Sequence, residues 1–123
     1  MKKLLVIDDE HDFCILVLLE CKKIGIECKY ANTLVDGIEL LNSFSPDILI
    51  LDNNLPDGLG WQQVDYLLKH YPSTKLNLIT AKNIFEKTVN DYANKGKNVS
   101  CYSKPLTITD LSNILNERSQ NNC

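Results

Sequence analysis

Five short apolar runs alternate with longer stretches of helical spacing, and this rhythm restricts the folds open to the chain more than any other feature. The runs are residues 3–7 (KLLVI), 26–31 (IECKYA), 47–51 (DILIL), 76–80 (LNLIT) and 99–103 (VSCYS), each of strand length. Helical spacing is expected over 12–24, 33–44, 58–70, 83–95 and 107–118. Asp12, Thr33 and Thr107 stand where N-caps are needed, and Gly25 stands where a left-handed residue can close the first helix. Strands that alternate with helices imply right-handed crossovers, hence a parallel sheet with helices on both faces. Leu4-Leu5-Val6-Ile7 and Ile48-Leu49-Ile50-Leu51 are apolar without interruption, which suits central strands covered on both sides.

With 123 residues, 44% of them hydrophobic, the chain has material for one core and one domain. No run of about eighteen apolar residues is present, and acids begin at residue 8, too early for a secretory segment. A cytoplasmic location is expected. The cysteines (14, 21, 28, 101, 123) are odd in number and form no C-x-x-C pair, so buried thiols are expected rather than disulfides or zinc. A formal net charge of −3 argues against direct contact of the domain with nucleic acid.

The strand ends carry the chemistry. In an open parallel sheet, ligands bind beyond the carboxyl ends of the strands where the winding direction reverses. Asp8-Asp9 follow the first run, Asp52 the third, Thr80 closes the fourth and Lys104 follows the fifth, so these groups are expected on one rim. Crowded carboxylates repel, and one takes up a proton unless a cation is shared among them. Oxygen donors select a hard divalent ion, Mg2+ rather than zinc. Thr80 adds a hydroxyl and Lys104 a positive charge, a set that suits a phosphoryl group held opposite the metal.

Asp8-Asp9, Asp52 within LDNNLPDGLG, Thr80-Ala81 after LNLI, and Lys104-Pro105 together resemble the receiver domain of two-component response regulators, over roughly residues 3–118. The resemblance implies a flavodoxin-like, doubly wound sheet of five parallel strands in the order 2-1-3-4-5 with five helices. It implies that Asp52 accepts phosphorus, that Asp8, Asp9, Asp52 and the Asn54 carbonyl hold Mg2+, and that Thr80 and Lys104 bind phosphoryl oxygens with the amides of Asn53 and Ala81. The bond before Pro105 is then expected to be cis. The implied partners are a sensor histidine kinase or phosphotransfer protein as donor and a downstream effector protein or output domain as target, with a homodimer formed on phosphorylation. The only catalysis implied is the chain's own phosphorylation and dephosphorylation. Residues 1–118 are expected to form this domain, and 119–123 a polar tail or the start of a linker.

Two features depart from the family pattern or add to it. Receivers usually carry an aromatic switch residue three positions before the lysine, working with the threonine. That position is Cys101 here, with Tyr102 beside it, and strand alternation sends the two to opposite faces. Either Cys101 lines the switch path or a bulge brings Tyr102 there. In the first helix Phe13, Leu16, Val17, Cys21 and Ile24 form one stripe, while Cys14, Ile15, Leu18 and Leu19 cover much of the rest. Ile15, Leu18 and Leu19 are either scattered surface residues or a docking site for a kinase helix pair or a second copy of the chain.

Other functions fit less well. An aspartyl-phosphate phosphatase would resemble D-x-D at the first strand, an FMN carrier would not place three acids at its first turn, and a receiver that only binds partners has no need of Asp52, Thr80 and Lys104 together. Trp61, at helical spacing with Val64 and Leu68, is expected to pack in the core rather than stack on a ligand.

Overall fold

In the computed structural model, residues 1–81, 95 and 98–117 are described. The main sheet comprises β1 (Lys3–Ile7), β2 (Glu27–Ala31), β3 (Ile48–Asp52), β6 (Lys75–Thr80) and β7 (Val99–Ser103), in the order β2-β1-β3-β6-β7. Every pairing is parallel. Counted over these five strands, the order is the expected 2-1-3-4-5. Helices α1 (His11–Lys23), α2 (Leu34–Phe44), α3 (Val64–His70) and α4 (Ile108–Leu115) are the α-helices among the described residues. Of the expected helix over 83–95 only residue 95 is among the described residues, and residue 118 and the expected tail over 119–123 lie outside them.

Strand alternation divides the core in two. Leu5, Ile7, Leu49, Leu51, Leu76 and Leu78 face α2 and α3, joined by Leu41, Phe44, Val64 and Leu67. Leu4, Val6, Ile48 and Ile50 face the opposite way, toward Val17 and Cys21 of α1 and Leu111 and Ile114 of α4. A central strand buried on both sides has no use for polar alternation, which is why these runs are apolar throughout. Among the described residues no disulfide forms, and Cys14, Cys21 and Cys101 are buried.

Local chemistry explains most boundaries. Helix α1 ends in a Schellman motif, with Gly25 at φ +76°, the Ile26 amide donating to the Cys21 carbonyl at 2.9 Å and the Gly25 amide to Lys22 at 3.5 Å. Thr33 caps α2 by accepting from the Asp36 amide at 3.2 Å. Thr107 and Asp110 form a reciprocal capping box on α4, both bonds 3.0 Å. Glu10, rather than Asp12, is the N-cap residue of α1, and Asp12 lies in the first turn where its charge favours the helix dipole.

Two further expectations are corrected. Residues 58–63 are not α-helical: β4 (Asn54–Leu55) and β5 (Gly58–Leu59) form a small antiparallel hairpin, and a 3-10 turn over Gly60–Gln63 precedes α3. Gly58 at φ +155° turns the chain in a conformation no helix contains, so the apolar spacing of 58–63 reports packing of a loop rather than a helix. In α1 the buried residues are Cys14, Val17 and Cys21, whereas Leu16 and Ile24 of the expected stripe are exposed. The sheet meets α1 along a line about one residue removed from the one that spacing suggests.

Candidate functional site

The carboxyl ends of β1, β3, β6 and β7 bring the acids, the threonine and the lysine together. Backbone ladders continue past the strands and fix these ends: the Asp8 amide donates to Ala31 at 3.0 Å, Asn53 to Ile79 at 3.1 Å, and Lys104 to Thr80 at 2.8 Å. Asp8 is held further from behind, where the Asn32 side-chain amide donates to its carbonyl at 2.8 Å and the Cys14 thiol does so at 3.5 Å. Burial pushes the Cys14 thiol up to about 12, so it stays a neutral donor. The Lys104–Pro105 peptide bond is cis.

Lys104 stands among three carboxylates. Its Nζ lies 3.2 Å from Asp8 Oδ2, 3.2 Å from Asp52 Oδ2 and 2.9 Å from Glu10 Oε1. Burial alone would lower its pKa, but the bond to Glu10 and the charges of Asp52 and Asp8 outweigh it and hold the ammonium above the ordinary lysine value. The carboxyls respond in the opposite sense. Burial raises Asp8 from 3.8 to about 6, with the Glu10 amide at 2.8 Å opposing the rise and the Asp52 charge adding to it. Burial likewise raises Asp52, against the pull of Lys104. One ammonium therefore does not fully compensate the cluster.

A divalent cation fits what remains. Carboxylate oxygens of Asp8, Asp9 and Glu10 lie within 4.8 Å of one another, and all are oxygen donors of the kind a hard ion takes. Asp8 is wholly buried, and its raised pKa means that added positive charge is rewarded. Thr80 Oγ1 is also buried and has no hydrogen-bond partner among the described residues, so it fits a group that offers an acceptor oxygen.

The loop after Asp52 differs in one detail from expectation. The Asn53 amide, expected to face a phosphoryl group, is committed to the Ile79 carbonyl as the last rung of the β3–β6 ladder. The Asn54 amide faces the Asp52 carboxylate instead, 3.4 Å from Oδ1. Asn54 is itself exposed at the rim, and Ala81 is half-buried beside Lys104 in the groove between α1 and α4. Gly60 closes over the same strand end, where a Cβ would stand 2.2 Å from the Asp52 carbonyl oxygen, so only glycine fits.

Cys101 and Tyr102 occupy opposite faces without a bulge, paired in register with Leu78 and Ile79. Cys101 lies in the core beneath α2 and α3, and Tyr102 in the core beneath α1 and α4. On α1, Ile15 and Leu18 are half-buried and Leu19 is exposed. A larger apolar feature lies elsewhere, a groove of about 1010 Å³ between α1 and α4 lined by Phe13, Leu16, Ile24, Leu106 and Ile108 among others. Trp61 is buried and donates its indole N–H to the Leu51 carbonyl at 3.3 Å, a packing role.

Sequence reasoning passed over three residues. Glu10 was visible in the acidic run, but its bond to Lys104 joins residues ninety-four positions apart. Asn32 carried no signal. Asp57 lies in Pro56-Asp57-Gly58, a turn signature that was readable as such.

Comparison with known proteins agrees with this geometry. The family model for the response regulator receiver domain matches residues 4–116. The chain is 26% identical over 114 residues to the response regulator protein PilR of Pseudomonas aeruginosa, covering 93% of this chain and 25% of PilR. It is 25% identical over 114 residues to the photosynthetic apparatus regulatory protein RegA of Rhodobacter capsulatus, covering 93% of this chain and 61% of RegA. It thus spans less than two thirds of either relative. The beryllofluoride-activated NtrC4 receiver domain dimer shares the fold, with a TM-score of 0.84 at 21% identity over 96% of both chains. Fold, strand-end chemistry and the span of the family match agree: the chain belongs to the response regulator receiver domain family.

Proposed function

We propose that this chain is a phosphorylation-dependent signalling switch in which Asp52 accepts a phosphoryl group and the acceptor site changes partner binding. The observation that carries the reading is the meeting of buried Asp52 and Asp8 at Lys104, beside a buried Thr80 hydroxyl that lacks a partner among the described residues. Asp8, Asp9, Asp52 and the Asn54 carbonyl would hold Mg2+, with Glu10 close enough to assist. When bound, the ion supplies positive charge to the acceptor carboxylate and the transferring oxygens.

The chain's own residues do the rest. An Asp52 carboxylate oxygen forms the new bond to phosphorus as the P–N bond of a phosphohistidine, or the P–O bond of an acyl phosphate, breaks on the opposite side. Lys104, already 3.2 Å from Asp52, neutralises the equatorial oxygens. Thr80 would donate its hydroxyl to one of them, as would the amides of Ala81 and of Asn54, the latter 3.4 Å from Asp52 Oδ1. Movement of Thr80 toward the phosphoryl group leaves space on the α2–α3 side of β7, where Cys101 lies, and this is the switch path we favour over Tyr102. A sensor histidine kinase or phosphotransfer protein is the donor, and an effector protein or output domain the target. A phosphorylation-linked homodimer is a further outcome of the same switch. The domain acts in the cytoplasm, spans residues 1–118, and turns over no substrate other than its own phosphoryl group.

Incubation with acetyl phosphate and Mg2+ followed by peptide mass spectrometry tests this reading. One phosphoryl adduct on Asp52 is expected, lost in Asp52→Ala and on chelation of the metal. An adduct on another residue, or none under conditions where Mg2+ binds, overturns it.

A further inference from the structure

The hairpin β4–β5 carries the segment that links Asp52 to the Asn54 carbonyl, yet its two-residue strands pair only with each other among the described residues. Such a hairpin does not hold itself in place. At its tip, Asp57 reaches across to α2 and accepts two backbone bonds, from Leu34 at 2.7 Å and from Val35 at 2.9 Å. These amides belong to the first turn of α2, which has no partners within its own helix, and Thr33 takes the next amide along. Asp57 is thus a cap supplied to α2 from twenty-three residues away. The bonds hold its carboxyl below the ordinary aspartate value although the side chain is open to solvent. Gly58 packs beside it, where a Cβ would lie 3.3 Å from Leu34.

At the other end the hairpin is tied to the residue that follows β3: the Gly60 amide donates to the Asn53 carbonyl at 2.8 Å and the Trp61 amide to the Asn53 side chain at 3.3 Å, while the Asn53 amide is bonded to Ile79 of β6 at 3.1 Å. The loop bearing Asn53 and Asn54 is therefore strung between β3 and α2, with Asp57 as its distal anchor.

We infer that Asp57 is a positioning residue for the metal and phosphoryl site, clamping the hairpin to the α2 N-terminus so that the Asn54 carbonyl and amide are set before ligand arrives. The inference rests on the proposed reading of the site and extends it to a residue that touches neither ion nor phosphoryl group. A purely structural cap of α2 would act differently. Thr33 caps the same helix but has no connection to the hairpin, so Thr33→Ala removes a comparable bond and leaves the loop anchored.

The experiment compares the wild-type chain with Asp57→Ala, Asp57→Asn and Thr33→Ala. Mg2+ is titrated while the fluorescence of Trp61, the single tryptophan, is followed, and exchange of the Gly60 amide is measured in metal-free protein. Asp57→Ala is expected to weaken Mg2+ binding roughly 3–10-fold, less than the roughly 10–100-fold cost of losing a residue bonded directly to a metal ligand, because Asp57 acts through the hairpin. It should also speed Gly60 exchange. Asp57→Asn, which keeps one acceptor oxygen, should fall between it and wild type, and Thr33→Ala should change neither. Unchanged affinity and exchange in Asp57→Ala, or equal effects in Thr33→Ala, overturn the clamp. A wild-type chain that binds no Mg2+ overturns the reading of the site instead.

Discussion

Asp8 shows how one residue sets the conditions for the whole site. Its carboxyl is raised from 3.8 to about 6, so the folded chain prefers it protonated, and that preference contributes stability below about pH 4 that is lost as pH rises toward 6. At neutral pH the ionised group is a burden that the Glu10 amide and Lys104 relieve in part and a bound cation would relieve further. Asp8→Asn should therefore stabilise the metal-free chain at pH 7 by about 1–3 kcal/mol, since two pKa units correspond to about 3 kcal/mol. Urea titrations with and without Mg2+ check this, the wild type gaining from the ion and the variant much less. Lys104→Ala should act in the other direction, destabilising at pH 7 by up to about 3 kcal/mol, the lower end of the range for a broken buried pair because the Lys104 side chain is partly exposed. Its loss should be smaller at pH 5, because the carboxyls it leaves behind can then take up protons. An equal loss at both pH values would show that Lys104 serves packing rather than charge.

Two glycines separate conformational freedom from close approach at the scale of the elements. Gly25 ends α1 at φ +76° with open space around it, so Gly25→Ala should cost only the left-handed penalty of about 1 kcal/mol and leave phosphoryl acceptance untouched. Gly60 begins the turn before α3 with the Asp52 carbonyl where a methyl group would go. Gly60→Ala must displace backbone, so a loss of about 3 kcal/mol is expected together with slower acetyl phosphate labelling. Denaturation midpoints and labelling rates on the same preparations distinguish the two glycines. The hairpin between β3 and α3 was the element least legible beforehand. The spacing of Trp61, Val64 and Leu68 continues upstream into 58–60 and suggests helix, but the turn chemistry of Asp57-Gly58 overrides it.

For the molecule as a whole, the groove between α1 and α4 is a broad apolar surface that reaches Glu10 and Lys104, and Ile108 at its edge is 89% exposed. If a phosphohistidine donor docks there, Leu16→Glu with Ile108→Lys should slow transfer from the protein donor about tenfold or more while acetyl phosphate labelling stays the same; equal slowing of both would place docking elsewhere. Of the expected docking residues, Ile15 and Leu18 are half-buried, whereas Leu19 is exposed on α1 together with Leu16. Residue order alone specified the alternation of strands and helices, the parallel sheet, and the four strand ends that carry Asp8, Asp52, Thr80 and Lys104. It did so because strand length and continuous burial are written locally, and a parallel sheet presents all its carboxyl ends on one rim. Packing in three dimensions was needed to establish that Glu10 meets Lys104, that Asp57 caps a helix twenty-three residues upstream, and that the Asn54 amide rather than that of Asn53 faces the Asp52 carboxylate. Spacing along the chain records which side of an element is covered, whereas register and the path of each connection select the atoms that meet across it.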